Sequence, residues 1–314
     1  MKSSVLHKVG FLLLVLLLLH SCETPFVPDT SVSEQEYVVE GSVEAGVGAL
    51  PTYVIVTRSI PFVGEVSADL FSELFVRGAK VTVSDGTQVT ELAELCLQEL
   101  PDDIKAIAAA ALGLDPDSTT VNFCAYVDIA GAIIQEQGRT YDLSIETDDT
   151  VITATTTIPT SVPLYNLTWE DPPGAPNDTL ATLKVTINDP ANERNYYRYL
   201  SASDGGQMVA PFASVVDDAL FNGDEFEFPL NKAVPRGVEV DPNTFGLWTR
   251  GDSITLKWCT IDEAHFNFWQ TFDFNNNNTG PFSSYTRVAS NVDGALGVWG
   301  GYAIELYEEV VELE

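Results

Sequence analysis

The sequence predicts a mainly β protein with two antiparallel β-sandwich domains. Short runs of β-branched and aromatic residues recur along the chain, and most of them alternate between apolar and polar positions. Gly, Pro, Asn and Asp residues separate these runs at a spacing that is typical of antiparallel sheets. Of the 314 residues, 45% are hydrophobic and 10% are aromatic, which is enough apolar material for two cores of ordinary size.

Residues 1–21 are predicted to form a lipoprotein signal peptide. Lys8 directly precedes an apolar run of eleven residues, 9–19, which is too short to span a bilayer as a helix. Residues 19–22, Leu-His-Ser-Cys, match the lipobox pattern of bacterial lipoproteins. Acylation of Cys22 would make it the first mature residue and would anchor the protein to a lipid bilayer. A plain secretory signal and an uncleaved anchor are the alternatives, and the distance of Cys22 from the apolar run favours lipidation.

Residues 22–35 are predicted to be a tether, because they contain two prolines and several small polar residues without periodicity. The first β-sandwich is predicted over residues 36–160. An Asp85-Gly86 pair marks a tight turn between two of its strands. The predicted strands lie at residues 37–43, 53–57, 76–84, 140–145 and 151–158.

Residues 97–123 are predicted to be a helical insertion in the first sandwich. Pro101, Asp102 and Asp103 suit the start of a helix, and Gly113 suits its end. We expect this insertion to be a stabilised surface loop, with contact to a partner or ligand as the alternative.

Cys96 and Cys124 bracket the insertion, so we predict a disulfide between them in an oxidising compartment. Closing this loop of 29 residues would stabilise the fold by about 3.6 kcal/mol on the chain-entropy model. Cys259 lies in an alternating run and is predicted to be a buried thiol. A bond from Cys259 to either of the other two cysteines is the alternative.

The second β-sandwich is predicted over residues 161–314, because prolines cluster at 159–176 and strand patterns follow. Both sandwiches are expected to be of the Ig-like or prealbumin-like kind. Ala264, Phe268 and Phe272 recur at a spacing of four, which predicts a helix over residues 262–272. A turn or loop is predicted at 275–278. The predicted strands of this domain lie at residues 165–169, 180–187, 196–201, 225–230, 253–260 and 302–307.

The chain is strongly acidic, with a formal net charge of −31. Removal of the signal peptide leaves 13 basic and 46 acidic residues, a net charge of −33. Such a field repels phosphate backbones, so we expect no nucleic-acid partner. For the same reason the lipid on Cys22, rather than basic side chains, must hold the protein to a membrane.

Few residues suit catalysis, and we expect no enzyme activity. His265 would be the only histidine of the mature chain, which excludes a site built from two or three histidines. We predict that His265 is a packed or surface residue, with a catalytic role as the alternative. No cofactor is expected. Calcium is the cofactor that the acidic residues would favour, with Asp115, Asp117 and the Asp217-Asp218 pair as contributors, but no D-x-D-x-D-G loop is present.

Several phrases of the sequence together resemble a lipoprotein family of Bacteroidota. Cys22-Glu23 and the 37–41 strand resemble its start, and residues 138–145 and 154–159 resemble its G-x-x-Y-x-L-x-I strand and T-x-I-P end. Residues 195–198, Asn-Tyr-Tyr-Arg, are similar to its N-Y-Y-R strand. Phe221-Asn222-Gly223 resembles the D-x-x-F-[ND]-G turn of the family, with Asp217 and Asp218 a little upstream. Residues 290–300 resemble its closing S-N-x-x-G-G-x-G-x-[FW] motif, with Ala295 in place of the second glycine. The family is known as domain of unknown function 4249 (DUF4249).

This resemblance implies an outer-membrane lipoprotein with a binding or accessory role beside a TonB-dependent receptor. We therefore expect a lipid-anchored outer-membrane protein that is a non-enzymatic subunit of such a transporter system. The sequence leaves open which face of the membrane carries it. Two alternatives stand: a surface glycan hydrolase that uses paired carboxylates, and a structural or adhesin module.

Substitution of Cys22 by Ala should abolish labelling by a fatty-acid probe and release the protein from membranes, because the acylated thiol is lost. Metabolic labelling followed by membrane fractionation measures both effects. Ser31→Ala in the tether is the control and should behave like the unaltered protein. Continued labelling of the Cys22 variant would refute the lipid assignment.

Overall fold

The computed structural model describes residues 35–60, 68–102, 104, 105, 109, 122–174, 177–235, 238–277 and 286–313. These residues form one compact unit. The predicted signal peptide, Cys22 and nearly all of the tether lie outside the described residues, as does most of the predicted helix in the insertion. None of the helices in the described ranges has both the length and the hydropathy that a membrane span requires.

The prediction of a mainly β fold is confirmed. Alternation explains the strands: in Thr140–Glu146, for example, Tyr141, Leu143 and Ile145 are buried and their neighbours face outward. Strands β1 to β17 comprise Tyr37–Ala45, Tyr53–Arg58, Lys80–Ser84, Val89–Glu91, Ala93–Cys96, Cys124–Val127, Thr140–Glu146, Val151–Thr157, Leu164–Glu170, Leu180–Asn188, Tyr196–Ser203, Val215–Asp217, Glu225–Leu230, Trp248–Thr249, Ser253–Ile261, Val292–Asp293 and Leu296–Val310. Helices α1 and α2 comprise Ala68–Glu73 and Glu263–Asn277, and a 3-10 turn covers Leu97–Glu99.

In the described residues the strands form three sheets. The largest has eight strands in the order β12-β11-β15-β17-β1-β2-β6-β5, and the second has five in the order β16-β8-β7-β3-β4. In the third, β10 pairs with β9, β13 and β14. Neighbouring strands run antiparallel except for β1 and β17, which pair in parallel over residues 38–45 and 296–303.

The C-terminal strand β17 lies at the centre of the eight-stranded sheet. Its first half pairs with β1, and its second half pairs with β15 over residues 302–310. Fifteen residues give β17 the length to serve two hydrophobic cores in succession. The prediction at 302–307 therefore identified less than half of this strand, because glycines at 297, 300 and 301 weaken the strand pattern at its start.

Two cores lie along this sheet. The first gathers side chains from the eight-stranded and five-stranded sheets, including Val39, Val56, Leu143 and Trp299. The second gathers side chains from the eight-stranded and four-stranded sheets, including Leu183, Ile187, Tyr197, Trp248, Leu256 and Trp258. Ile158 belongs to the first core and Val162 to the second, so the chain passes between them close to residue 160. Because β17 contributes to both, the domain division stays a prediction.

The pairing of β1 with β17 depends on glycine. Gly297 has φ +121°, and a Cβ at this position would overlap the carbonyl oxygen of Val39 on β1. Gly41 lies opposite Trp299, and a Cβ there would come within 2.9 Å of the indole ring. Trp299 is fully buried and donates its indole N–H to the Tyr141 carbonyl at 3.1 Å. The missing side chains thus make room for the largest ring of the first core.

A disulfide joins Cys96 at the end of β5 to Cys124 at the start of β6, with the Cα atoms 4.1 Å apart. Cys259 is a free thiol and is fully buried. Of the insertion between the bonded cysteines, the structure describes the 3-10 turn and little more. The predicted helix inside it stays a prediction.

The predicted helix at 262–272 is confirmed, but it continues to Asn277. The loop predicted to begin at Asn275 was therefore wrong for residues 275–277. Asparagine favours turns, yet here the Asn275 side chain pairs with the Thr286 carbonyl and the Asn277 side chain pairs with the Phe212 carbonyl. These tertiary hydrogen bonds outweigh the low helix propensity of the two residues.

Substitution of Gly297 by Ala should lower the free energy of unfolding by about 3 kcal/mol or more, because the new methyl group would strain φ and collide with β1. Gly86→Ala is the control: its φ is +83°, but no atom lies within 4 Å of the new Cβ. This control should lose only about 1 kcal/mol. Urea unfolding measures both values, and equal losses would contradict the proposed contact.

Candidate functional site

Helix α2 begins at a cap that fixes it to the five-stranded sheet. Asp262 accepts a hydrogen bond from the His265 N–H at 2.8 Å, which satisfies one of the free donors at the helix start. Its second carboxylate oxygen accepts from the Thr156 hydroxyl at 2.5 Å. The first turn of the helix is therefore held over the junction of two sheets.

The helix covers one face of the eight-stranded sheet. Phe266 packs into a small apolar cluster with Cys259, Ile261, Tyr302 and Ile304. Its ring also lies 4.9 Å from that of Tyr196 on β11. His265, Phe268 and Asp273 of α2 are buried as well, and Phe274 lies on the exposed side of the helix.

His265 is packed against β17 and is 1% exposed. Its ring stands edge-on to Tyr302, with centroids 4.4 Å apart, and it fills the space that a side chain at Gly300 would need. Burial, with a smaller effect of nearby Arg198, lowers the pKa of His265 to about 3. The imidazole is therefore neutral at pH 7, and its Nδ1 has no hydrogen-bond partner among the described residues.

A buried polar network connects the sheet to the distal half of α2. The Arg198 guanidinium lies 3.5 Å from the centre of the Trp269 ring and donates to the Tyr302 hydroxyl at 2.6 Å. Its Nε lies 3.4 Å from the Ser214 hydroxyl, which donates to the Asp273 carboxylate at 2.6 Å. Arg198 itself is 7% exposed. The guanidinium of Arg198 is therefore held on several sides, whereas the buried indole N–H of Trp269 has no hydrogen-bond partner among the described residues.

At the end of this network a groove opens between α2 and the segment before β12. We call it the phenylalanine groove. Its volume is about 480 Å³, within the range of ligand pockets. Phe212 is 37% exposed and Phe274 is 47% exposed. The groove is lined by Phe212, Ala213, Val215, Gln270, Asp273, Phe274 and Asn277.

The walls of the phenylalanine groove are held together by hydrogen bonds from α2. Asp273 accepts from the backbone N–H of Ser214 at 3.0 Å in addition to the Ser214 hydroxyl. Asn277 donates to the Phe212 carbonyl one turn further on. The Phe212 ring also packs on Phe245, with centroids 5.8 Å apart. The segment 212–214 is therefore fixed to the helix at both ends of the groove.

The other residues considered from the sequence lie apart from this groove. Burial raises the pKa of the Cys259 thiol to about 12, so the thiol is neutral at pH 7. Asp218 is fully buried and accepts hydrogen bonds from the Asn195 N–H at 2.7 Å and the Asn222 amide at 2.8 Å. Asp115 and Asp117 lie outside the described residues. Within the described part of the chain, no group of three His, Cys, Asp or Glu side chains is placed to hold a metal ion.

The closing motif at 290–300 has a structural role. The Asn291 side chain accepts from the Trp299 N–H at 3.0 Å and donates to the Trp299 carbonyl at 2.7 Å. This reciprocal pair closes the turn that leads into β17. Together with Gly297 and Gly300, Asn291 fixes the strand rather than a ligand.

The family-like motifs at 195–198 and 221–223 likewise form buried contacts. The Tyr197 hydroxyl donates to the Asp189 carboxylate, which also accepts the Gly223 N–H at 3.1 Å. Phe221 stacks on Tyr197 with centroids 6.3 Å apart. These motifs therefore preserve packing, and the groove is built from other residues.

Sequence reasoning missed the phenylalanine groove. The spacing of Gln270, Asp273, Phe274 and Asn277 at three and four places one helix face in the groove, and this was the available signal. The other wall comes from an irregular segment whose position depends on the sheet. A pattern along one helix cannot identify that wall.

The family model described as Domain of unknown function (DUF4249) matches residues 23–307, which is most of the chain. The resemblance drawn from the motifs is thereby confirmed. Comparison with curated proteins and with solved structures gives no match.

Acidification should destabilise the fold through His265. Its pKa of about 3 in the fold lies below the ordinary value of 6.5, so protons bind the unfolded chain first as the pH falls. Stability from the neutral imidazole is complete above pH 6.5 and is lost towards pH 3. Between pH 7 and pH 5, the unaltered protein should lose about 2 kcal/mol more than a His265→Gln variant.

Urea unfolding at the two pH values measures this difference. The carboxylates are present in both proteins, so the difference between the two proteins reports the contribution of His265 alone. An equal loss in the two proteins would contradict a buried, neutral His265.

Proposed function

The chain belongs to the DUF4249 family, and on this basis we propose that it is a lipid-anchored, non-enzymatic binding subunit. It works with a TonB-dependent transporter in the outer membrane, to which acylated Cys22 holds it. The phenylalanine groove is the binding surface. The support comes from the groove, from the inaccessible candidate catalytic groups and from the signal sequence.

We also propose that the fold consists of two β-sandwiches of the Ig-like or prealbumin-like kind that share β17. The composition of the two cores supports this interpretation, since each draws on the eight-stranded sheet and on one smaller sheet. A shared strand would hold the two sandwiches at a fixed relative position. The groove lies on the face of the shared sheet that α2 covers.

The phenylalanine groove is the observation that carries the proposal. Exposed apolar side chains that share one concave surface mark binding sites, whereas singly scattered ones do not. Hydrogen bonds from Asp273 and Asn277 fix the 212–214 segment against α2, so the two walls of the groove are in place before anything binds. A preformed apolar groove needs little reorganisation on binding.

The chemistry of the buried groups supports binding rather than catalysis. The two side chains most able to act as base or nucleophile, His265 and Cys259, are buried at 1% and 0% exposure. Neither lines the groove. Base catalysis by His265 or covalent attack by Cys259 would need that side chain within reach of a substrate, so catalysis would have to depend on carboxylates.

One observation favours the alternative of a surface glycan hydrolase. Glu239 and Asp241 line one cavity of about 220 Å³ beside Phe245, which is 45% exposed. Paired carboxylates next to an exposed ring are what such a hydrolase needs. Asp241, however, accepts hydrogen bonds from both the backbone and the side chain of Asn243, as in an ordinary turn. Release of reducing sugar by the pure protein would favour this alternative.

The native acylated protein, extracted from membranes in mild detergent and captured by a C-terminal tag, should bring a β-barrel transporter with it. Mass spectrometry of the captured material measures this. The double variant Phe212→Ala/Phe274→Ala should recover at least about fivefold less transporter, since it removes the two exposed rings. Phe226→Ala, which truncates a ring that is 39% exposed elsewhere on the surface, is the matched control.

Recovery of the anchored protein without any β-barrel would contradict the transporter partner and leave the structural or adhesin role. Equal recovery with the double variant and with Phe226→Ala would keep the partner but refute the groove as its docking surface.

A further inference from the structure

We propose that residues 304–310 of β17 form an open edge, which pairs with an extended, basic segment of a partner protein. The segment would add a strand to the eight-stranded sheet beyond the end of β1. Other residues line the phenylalanine groove, so this inference does not depend on the groove. Three observations carry it: β1 ends before β17 does, backbone groups of β17 face the side that β1 leaves, and the surface there is acidic.

β17 is longer than the strand beside it. Its residues 296–303 pair with β1, which ends at Ala45. At Gly46, which has φ +137°, the chain leaves the strand. On its other side, β17 pairs with β15 as far as Val310. Among the described residues, no strand therefore lies against residues 304–310 on the side that β1 would occupy.

Hydrogen bonds at the end of β17 show which backbone groups face β15. Val311, directly after the strand, donates to the Asp252 carbonyl at 3.0 Å and accepts from the Gly251 N–H at 2.9 Å. Gly251 and Asp252 directly precede β15, so both bonds lie on the β15 side. Backbone groups of successive residues in a strand point to opposite sides. The N–H and C=O groups of every second residue counted back from Val311 therefore face β15 as well.

The residues between them face the open edge. Leu306, Glu308 and Val310 direct their N–H and C=O groups away from β15, where no strand of the described chain pairs with them. Ile304 fits the same alternation, because its carbonyl oxygen lies next to Gly46 at the end of β1. Val310 is 60% exposed, as the end of an uncovered edge should be. Unpaired edges of this kind are templates for pairing with another chain.

The open edge is acidic. Glu308 and Glu309 are exposed, and Glu305 is half-buried. Residues 301–314 contain no Lys or Arg. An added strand would place its side chains directly beside these glutamates, and opposite charges across a strand pair are stabilising. Charge complementarity therefore favours a segment rich in Lys or Arg.

The same charges argue against the two nearest alternatives. A second copy of the open edge would set glutamates opposite glutamates, which destabilises a strand pair. The chain's own segment 23–35 has acidic residues at 23, 29 and 34 and no basic residue. Neither complements Glu308 and Glu309, so we assign the edge to a partner protein.

Three synthetic peptides test the chemistry of the partner. The first alternates Lys and Val over eight residues, the second adds N-methyl groups to the four central residues, and the third carries Glu in place of Lys. Calorimetric titration into the mature chain without its lipid measures their affinities. We expect saturable binding of the first peptide. The second should bind more weakly by about tenfold or more, because both of its edges lose main-chain donors. The third should show no measurable binding, because like charges repel.

Two proline variants test the open edge in the protein itself. Glu308→Pro removes an N–H that faces the open edge, so its unfolding temperature should stay within about 3 °C of that of the unaltered protein. Glu309→Pro removes an N–H that faces β15 and should lower the unfolding temperature by about 5 °C or more. Each variant loses one glutamate, so the loss of charge is matched. Thermal unfolding followed by circular dichroism measures both.

The binding of the lysine–valine peptide separates main-chain pairing from charge. Glu308→Pro should weaken it by about fivefold or more, because one donor is lost and the proline ring obstructs the added strand. Glu308→Gln keeps the N–H and loses the charge, so it should weaken the peptide by only about twofold.

Absence of binding by the lysine–valine peptide would overturn the proposal. Equal affinity for its N-methylated form would reduce the contact to charge and overturn the added strand. Equal destabilisation by the two prolines would show that the N–H of Glu308 is already bonded, which overturns the open edge. Dimers in sedimentation that Glu308→Pro abolishes would assign the edge to a second copy and overturn the basic partner. A chain that recovers a β-barrel transporter but fails these tests would keep the proposed function and refute this inference alone.

Discussion

The contact between β1 and β17 is the constraint on which the rest of the structure depends. The two strands, from opposite ends of the chain, run in parallel at the middle of the largest sheet. Their approach is possible only because Gly297 has no side chain to meet the Val39 carbonyl. Gly41 makes the matching space for Trp299, whose indole fills the first core. The close approach of β1 to β17 and the packing of Trp299 therefore depend on each other, and they require glycine at positions 41 and 297.

The same strand positions α2 and, through it, the groove. Gly300 leaves the space that the His265 ring occupies, and the Tyr302 ring supports both His265 and Arg198. Burying an arginine costs free energy, which the contacts of Arg198 with the Trp269 ring and the Tyr302 hydroxyl offset. His265 is buried in its neutral form, against the Tyr302 ring. The consequence is a helix whose rotation is fixed by polar contacts as well as by Phe266. Because the rotation of α2 is fixed, the side chains that line the groove on one face of the helix are fixed as well.

The sequence predicted most of the fold because alternation is a local signal. Strands β7, β8, β10 and β13 lie within one residue of their predicted bounds, and the disulfide joins the two cysteines that bracket the insertion. The start of β17 was missed, since its glycines have the appearance of a loop until the partner strand is known. Asn275 and Asn277 were assigned to a loop for the same reason: their hydrogen-bond partners lie far away in sequence. The periodicity of a sequence does not show where tertiary contacts outweigh the local conformational preference of a residue.

The groove and the family-like motifs are built from different residues of the chain. The family-like phrases coincide with buried contacts, such as Tyr197 with Asp189 and Asn291 with Trp299, which hold strands and turns. Those contacts are shared requirements of a fold, so they identify a family without identifying a ligand. The phenylalanine groove uses residues outside those phrases, on the exposed face of α2 and on the segment before β12. A scaffold fixed by its glycines and buried rings can change such a face without changing its architecture. The binding surface that we propose therefore lies on α2 and on the segment before β12, outside the contacts that fix the β framework.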